Sequence, residues 1–133
     1  MADAVTTTSV VDGPRTAVIY CTNTSDSTGE SAVTKVDVSA LSESPEGTAC
    51  TGVRLQKISF TNVGMGVKVL WDATTNVIAA ELPADYSDTL DYSGIGGIPN
   101  VSSSGKTGDI KFTTVGHSSG DTYSIVLYCL KEY

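Results

Sequence analysis

Two short stretches of the sequence hold residue types that could do chemistry. The first, Gly105-Lys106-Thr107, matches the end of a phosphate-binding loop, which runs from a strand into a helix so that backbone N–H groups cradle the phosphates. Asn100 occupies the position where such a loop has its first glycine, and the residues from Ile110 to Val115 are β-branched and aromatic, which predicts a strand and not a helix. The pattern therefore favours a Gly/Ser loop with a solvated lysine over a nucleotide site.

The second stretch surrounds the single histidine, His117. Ser118 or Ser119 as nucleophile and Asp121 as orienting acid would supply the residue types of a hydrolase triad. A triad presents its side chains from separate rigid elements, whereas all of these fall within one short hairpin loop. The sequence favours a turn histidine, exposed or at a subunit contact, and predicts no catalytic residue.

Metal chemistry has little support in the residue spacing. Cys21, Cys50 and Cys129 form no C-x-x-C pair and, with one histidine, give no spacing typical of zinc. Cys21 and Cys129 lie in apolar runs and are expected to be buried, with Cys50 more exposed. We predict no metal and no cofactor.

Acidic residues could in principle offer oxygen ligands to calcium, although no EF-hand-type run is present. We expect them to be ordinary surface acids. They form three groups: Asp85 with Asp88 and Asp91, Asp26 with Glu30, and Glu43 with Glu46.

The overall charge narrows the class of partner. With 8 basic and 15 acidic residues the chain has a formal charge of −7, which disfavours direct binding to nucleic acid or to an anionic membrane, since both depend on Lys and Arg. No window is long enough to span a membrane, and the start of the chain lacks the positive segment of a secretion signal. We expect cytoplasmic synthesis and protein partners.

The elements that must position these residues are strands. Short apolar runs alternate with turn signals, which predicts a single all-β domain over residues 1–133, built as a two-sheet antiparallel sandwich of jelly-roll or another Greek-key type with about eight strands. A closed barrel is the alternative. The candidate strands are Val5–Val11, Arg15–Thr22, Ala32–Val38, Val53–Thr61, Gly66–Asp72, Asn76–Leu82, Asp88–Tyr92, Gly108–Val115 and Asp121–Lys131.

Two of these strands have informative alternation. Met65, Val67, Val69 and Trp71 share one face of their strand, which predicts that this face is buried and that Trp71 belongs to the core. The last strand is apolar on both faces, so we expect it to be central in its sheet or covered by a neighbour.

Three stretches resemble short virion proteins of tailed bacteriophages: "VVDGPRTAVIYCTNTSDSTGESAVTKVDVSAL", "VGMGVKVLWDATT" and "KTGDIKFTTVGHSSGDTYSIVLYCLKEY". The resemblance implies a head decoration (cement) protein on the outside of the capsid, a homo-oligomer whose partner is the major capsid protein. It implies a virion location after synthesis in the bacterial cytoplasm. Head-to-tail adaptors, tail completion proteins and fibre-associated modules fit the same features.

A protein of this kind acts through surface contacts. The candidate contact elements are an N-terminal arm, residues 2–11, which can add a strand to a neighbour's sheet, and the Gly/Ser-rich loop Tyr92–Lys106, which is expected to be mobile or ordered by a partner. Arg54, Lys57 and Lys68, with Arg15, could pair with acidic capsid surface. The candidate contact residues are Val5, Val10, Arg15, Tyr92, Ile95, Ile98 and Lys106.

A carbohydrate- or receptor-binding module on a tail or spike is the alternative function. A sugar site needs exposed aromatic rings beside polar groups, and Tyr86 with Tyr92, around Asp88 and Asp91, is the local candidate. A small hydrolase acting through His117 is a third possibility that the loop argument disfavours.

Overall fold

The computed structural model of the chain describes residues 3–133 as a sandwich of two antiparallel sheets. Two short 3-10 turns, Val38–Ala40 and Ser93–Ile95, are its helical segments, and neither is long enough to cross a membrane. The nine strands are β1 (Ala4–Asp12), β2 (Thr16–Thr24), β3 (Val33–Val36), β4 (Gly52–Val63), β5 (Gly66–Trp71), β6 (Val77–Leu82), β7 (Tyr86–Asp91), β8 (Ile110–Val115) and β9 (Thr122–Glu132).

The strand order is that of a jelly roll with one additional strand. One sheet has the order β1-β2-β9-β4-β7 and the other β3-β8-β5-β6. Apart from the β5–β6 hairpin, each connection from β2 onward crosses from one sheet to the other, which is how a double Greek key closes an eight-stranded sandwich. The extra strand, β1, extends the first sheet beyond β2.

The core lies between the sheets because the strands alternate as the sequence predicts. In β9 the side chains of Tyr123, Ile125 and Leu127 are buried against the opposite sheet, and the strand is central, between β2 and β4. In β5 the inward face ends at Trp71, which is fully buried. Both predictions from alternation are confirmed.

All nine candidate strands are present, with ends that differ by a few residues. The count of nine agrees with the predicted sandwich of about eight strands, and the segment predicted as an N-terminal arm forms the first of them, β1. It pairs with β2 from Ala4 opposite Thr24 to Asp12 opposite Ala17, with a bulge between Ser9 and Val11. The arm is therefore an edge strand of its own sheet, and only the outer edge of β1 is open to a neighbour. Ala2 lies outside the described residues.

Candidate functional site

The loop around His117 does not assemble a triad. The Asp121 carboxylate accepts hydrogen bonds from the backbone N–H and the hydroxyl of Ser118, at 2.8 and 3.0 Å, so serine and acid meet directly. The Nδ1 atom of His117 lies instead 3.1 Å from the Thr114 hydroxyl, and its ring packs against Gly29. The prediction of an exposed histidine is wrong, because His117 is half-buried and joins the β8–β9 turn to the β2–β3 loop.

The three thiols are all buried. Burial raises the pKa of Cys21 to about 11 and that of Cys129 to about 12, so both stay protonated at neutral pH and are poor nucleophiles. Cys50, expected to be more exposed, is 6% exposed because its side chain turns inward beside the start of β4. Its thiol donates to the Gly52 carbonyl at 3.2 Å.

The acidic groups lie mostly on the surface, with one clear exception. Among residues 3–133 no three His, Cys, Asp or Glu side chains are placed so that they could hold a metal ion. Glu30, expected to be a surface acid, is 7% exposed and belongs to a buried polar cluster with Lys35, Tyr123 and Asn23. The prediction of a surface position is wrong because the folded sandwich brings β9, with Tyr123, against the β2–β3 connection that carries Glu30.

The Gly105-Lys106-Thr107 segment leads into strand β8, as predicted. The Thr107 hydroxyl donates to Oδ2 of Asp72 at 2.8 Å, and Lys111 Nζ lies 3.0 Å from Oδ1. Lys106 remains exposed. The segment therefore ties the β5–β6 turn to β8, a structural role for the threonine.

We expect Asp72→Asn to lower the free energy of unfolding at pH 7 by about 1.5–3 kcal/mol, the range for hydrogen bonds to charged groups. The Thr107 hydroxyl is the largest cause that holds the pKa of Asp72 below its usual 3.8, and Lys111 adds to it against the opposing effect of burial. This stabilisation is present above 3.8 and is lost as the pH falls through the lower folded-state pKa. Denaturant titrations from neutral to acidic pH should show wild type and variant converging.

Asp109→Asn is the matched control, because burial raises the pKa of Asp109. A charged Asp109 is disfavoured in the folded state, so the wild type should gain stability relative to this variant as the pH falls. Parallel pH profiles for the two variants would contradict the assignment.

The candidate aromatic pair is not formed. Tyr86 begins β7 and Tyr92 follows its end, so six extended residues separate them by about 20 Å. The Tyr86 ring packs instead near Phe60, at 6.1 Å between centroids. Tyr86 and Tyr92 therefore do not form the adjacent aromatic pair that the sequence offered as a sugar site.

Five of the seven candidate contact residues lie at one end of the sandwich. Arg15 is in the β1–β2 turn and exposed, and the loop that follows β7 carries Tyr92, Ile95, Ile98 and Lys106. We call this end of the sandwich, formed by the β1–β2 turn and the loop after β7, the loop end. The last residues of β9 also lie there, and the Lys131 backbone N–H donates to the Arg15 carbonyl at 2.7 Å. The structure thus brings these segments together at a single end, while Val5 and Val10 lie along the β1 edge.

The first part of the loop is ordered by the domain itself. Arg54 donates from Nε to the Gly96 carbonyl at 2.9 Å and from Nη2 to the Gly97 carbonyl at 3.0 Å, and Ile98 pairs with Leu55 through two backbone hydrogen bonds. Gly97 has a φ of +94° and passes so close to the Leu55 carbonyl that a Cβ would lie 3.1 Å from it. The expectation that this part is mobile or ordered by a partner is wrong.

These contacts determine which of the predicted contact residues remain exposed to a partner. Ile98 is half-buried and packs against the core, so its side chain serves the domain, whereas Ile95 is 70% exposed. The Arg54 guanidinium is engaged with the loop, and Lys68 lies 3.9 Å from Glu81 in an exposed ion pair. The loop after β7 presents the apolar side chains of Ile95 and Val101 to solvent.

The β1 edge is the least protected of the four sheet edges. All nine residues of β1 are exposed, and between Asp3 and Asp12 it carries no charge. The edge strand β7 carries Asp88 and Asp91, β6 carries Glu81, and β3 is only four residues long. Charges and short length are common ways of blocking strand addition, and β1 has only its bulge.

One surface was not among the sequence candidates. The outward side chains of β2 and β9 include Tyr20, Val126 and Tyr128, which are half-buried or exposed. The sequence indicates this surface, since β9 is apolar on both faces. The strand order is needed to tell which of the two faces remains uncovered.

Comparisons with known proteins supply no further guide, because no family model and no curated protein matches the chain.

Proposed function

We propose that this chain is a non-enzymatic virion structural protein, a capsid decoration protein that binds the outside of a tailed-phage head and stabilises the lattice through the major capsid protein. The observation that carries the proposal is the β1 edge, a fully exposed strand with no charge between its terminal aspartates. Such an edge offers a row of backbone donors and acceptors that a neighbouring chain can pair with.

The jelly roll supports this reading at the level of the fold. Jelly rolls occur in viral capsid and lectin domains among others, so the architecture alone selects no function. The resemblance of three sequence stretches to phage virion proteins favours a virion role over the other functions that this fold serves. The loop end adds exposed apolar side chains, Ile95 and Val101, beside the exposed Arg15 and Lys106.

The mechanism is reinforcement by many weak contacts. A strand added at β1 would bind through main-chain hydrogen bonds, with the loop end as a second contact on the same or an adjacent capsid subunit. Two linked contacts act at high effective concentration, so their combined affinity exceeds that of either alone. Repetition over the shell would then oppose the outward pressure of packed DNA.

The test is co-sedimentation of the purified chain with emptied, expanded heads of the phage that encodes it. We expect the wild type to bind and Thr8→Lys to bind at least tenfold more weakly, a loss of about 1.4 kcal/mol, because lysine on an edge strand blocks strand addition. Thr89→Lys on β7 is the matched control, since Thr8 and Thr89 are exposed and lie at the two ends of one cross-strand row.

Two results would count against the proposal. Failure of the wild type to sediment with the heads at any concentration would remove the decoration role. Equal weakening by Thr8→Lys and Thr89→Lys would show that binding does not use the β1 edge.

A further inference from the structure

The last strand, β9, is apolar on both faces, but only one of these faces packs in the core of the domain. Its inward residues form core, while Val126, Tyr128 and Leu130 point outward and are half-buried. Strands that are apolar on both faces are typical of sheets covered on both sides. No other strand of the described residues packs on the outer face of this sheet.

The register extends this apolar patch from β9 onto β2, while the flanking strands contribute mostly Ser and Thr side chains to the same face. Val126 lies opposite Tyr20 on β2 and Ser59 on β4, and Tyr128 lies opposite Val18 and Lys57. We call the resulting surface the outer face. Three of its cross-strand rows, read from β1 to β7, are Thr6-Thr22-Ser124-Thr61-Ser87, Thr8-Tyr20-Val126-Ser59-Thr89 and Val11-Val18-Tyr128-Lys57-Asp91.

The outer face is electrically unlike the rest of the molecule. Its acids are Asp91 on the edge strand and Glu132 at the end of β9, and its basic residues are Arg54 and Lys57. The face is therefore neutral in sum, with Lys57 and Asp91 opposite each other in the row of Tyr128, whereas the chain carries −7.

We propose that the outer face binds the outer face of a second copy of this chain. The acids that give each copy its charge lie elsewhere, so this is the contact at which two copies approach with least electrostatic repulsion. A twofold arrangement uses one self-complementary patch on both copies. The inference goes beyond capsid binding and does not depend on it.

The dimensions suit a stable dimer. Five strands at about 4.8 Å spacing and nine residues at about 3.4 Å each give a face of about 24 by 30 Å. Two such faces cover about 1,400 Å² together, within the range of standard protein interfaces. Sheets packed face to face align within about 30° and interdigitate their side chains.

Tyr20 and Tyr128 are the expected anchors of the contact, since buried aromatic residues dominate interface energetics. The Tyr20 hydroxyl lies 3.0 Å from the Ser124 hydroxyl, and Lys57 Nζ lies 5.3 Å from the centroid of the Tyr128 ring. Both rings are thus already held against the sheet, which reduces the entropy that binding must remove. The hydroxyl row beside them would form the polar rim.

The experiment is sedimentation equilibrium of the purified chain over a wide concentration range. We expect a reversible dimer in the wild type. Tyr20→Glu should weaken it at least tenfold, because it places two like charges in a desolvated contact. Ile78→Glu is the matched control, an exposed apolar side chain of β6 in the other sheet, and should leave the dimer intact.

A mixture of two variants gives an independent readout. Tyr20→Glu and Tyr20→Lys carry opposite charges on the same face, so their mixture should form heterodimers more tightly than either variant forms homodimers. A monomeric wild type at concentrations on the order of 100 µM, where even weak interfaces associate, would overturn the proposal. So would a dimer that Thr8→Lys dissociates and Tyr20→Glu does not, because the contact would then be the β1 edge.

Discussion

Lys35→Met is expected to lower the free energy of unfolding by about 3–5 kcal/mol, the cost of leaving one member of a buried ion pair without its partner. Lys35 Nζ lies 2.5 Å from Oε2 of Glu30, and the two side chains are 1% and 4% exposed. With the lysine removed, the Glu30 carboxyl group would be left without its cationic partner in a site closed to water.

The other partners of Glu30 cannot replace the ammonium. Its Oε1 accepts from the Tyr123 hydroxyl and, at 3.2 Å, from Asn23 Nδ2, and both donors are neutral. Burial and the nearby Glu30 raise the pKa of Tyr123, so the phenol is a hydrogen-bond donor at neutral pH. The neutral partners orient the carboxylate, while Lys35 balances its charge.

Urea denaturation followed by circular dichroism measures the effect. Lys68→Met, which removes a mostly exposed ion pair with Glu81, is the matched control and should cost about 0–1 kcal/mol. The double variant Glu30→Gln/Lys35→Met should recover much of the loss, because the amide keeps an acceptor for Tyr123 and Asn23 without a charge. A Lys35→Met variant as stable as the control would show that the pair is open to solvent.

The cluster also explains how the two sheets are held in register. Asn23 and Tyr123 belong to β2 and β9 of one sheet, Lys35 belongs to β3 of the other, and Glu30 lies in the connection between β2 and β3. An apolar core tolerates small slips between layers, whereas a buried hydrogen-bonded cluster has one favourable arrangement. Lys35 Nζ lies 5.9 Å from the centroid of Phe112, which ties β8 into the same contact.

The strands could be predicted from sequence because their signal is local. Alternation in β5 and β9 records which side chains face the core within a single segment, and turn residues mark where each segment stops. Strand order is a non-local property. Nothing within the β1 sequence indicates that it pairs with β2. The sequence therefore predicts an arm that is available to a neighbour, whereas one of its edges is already paired with β2.

The errors at the candidate surfaces have the same origin. The loop after β7 is rich in Gly and Ser, which predicts mobility, yet Arg54 from β4 holds its carbonyls. Glu30 looked like a surface acid, yet β3 and β9 supply its partners. The Arg54 contacts join residues far apart in sequence, and so does the contact of Tyr123 with Glu30. Lys35 is close to Glu30 in sequence, but the pairing of β3 with β8 that positions it is non-local, so composition and spacing do not indicate it.

Trp71→Ala is the second change with a large expected effect, a loss of about 3–5 kcal/mol from the deleted contacts and the cavity left behind. Trp71 is fully buried at the end of β5, opposite Val77 on β6 and Ile110 on β8. Three strands of one sheet and the facing core meet at this ring, so the site has little freedom to collapse.

Trp71→Phe separates packing from hydrogen bonding at the same position. Among residues 3–133 the buried Nε1 of Trp71 has no hydrogen-bond partner, so its removal should cost only the lost ring area, about 1–2 kcal/mol. The chain has one tryptophan, so both variants lack tryptophan fluorescence and their unfolding is followed by circular dichroism. The emission spectrum of the wild type reports whether the indole is shielded from water. A phenylalanine variant as unstable as the alanine variant would show that the indole N–H is hydrogen-bonded in solution, because packing alone predicts a clear gap between the two.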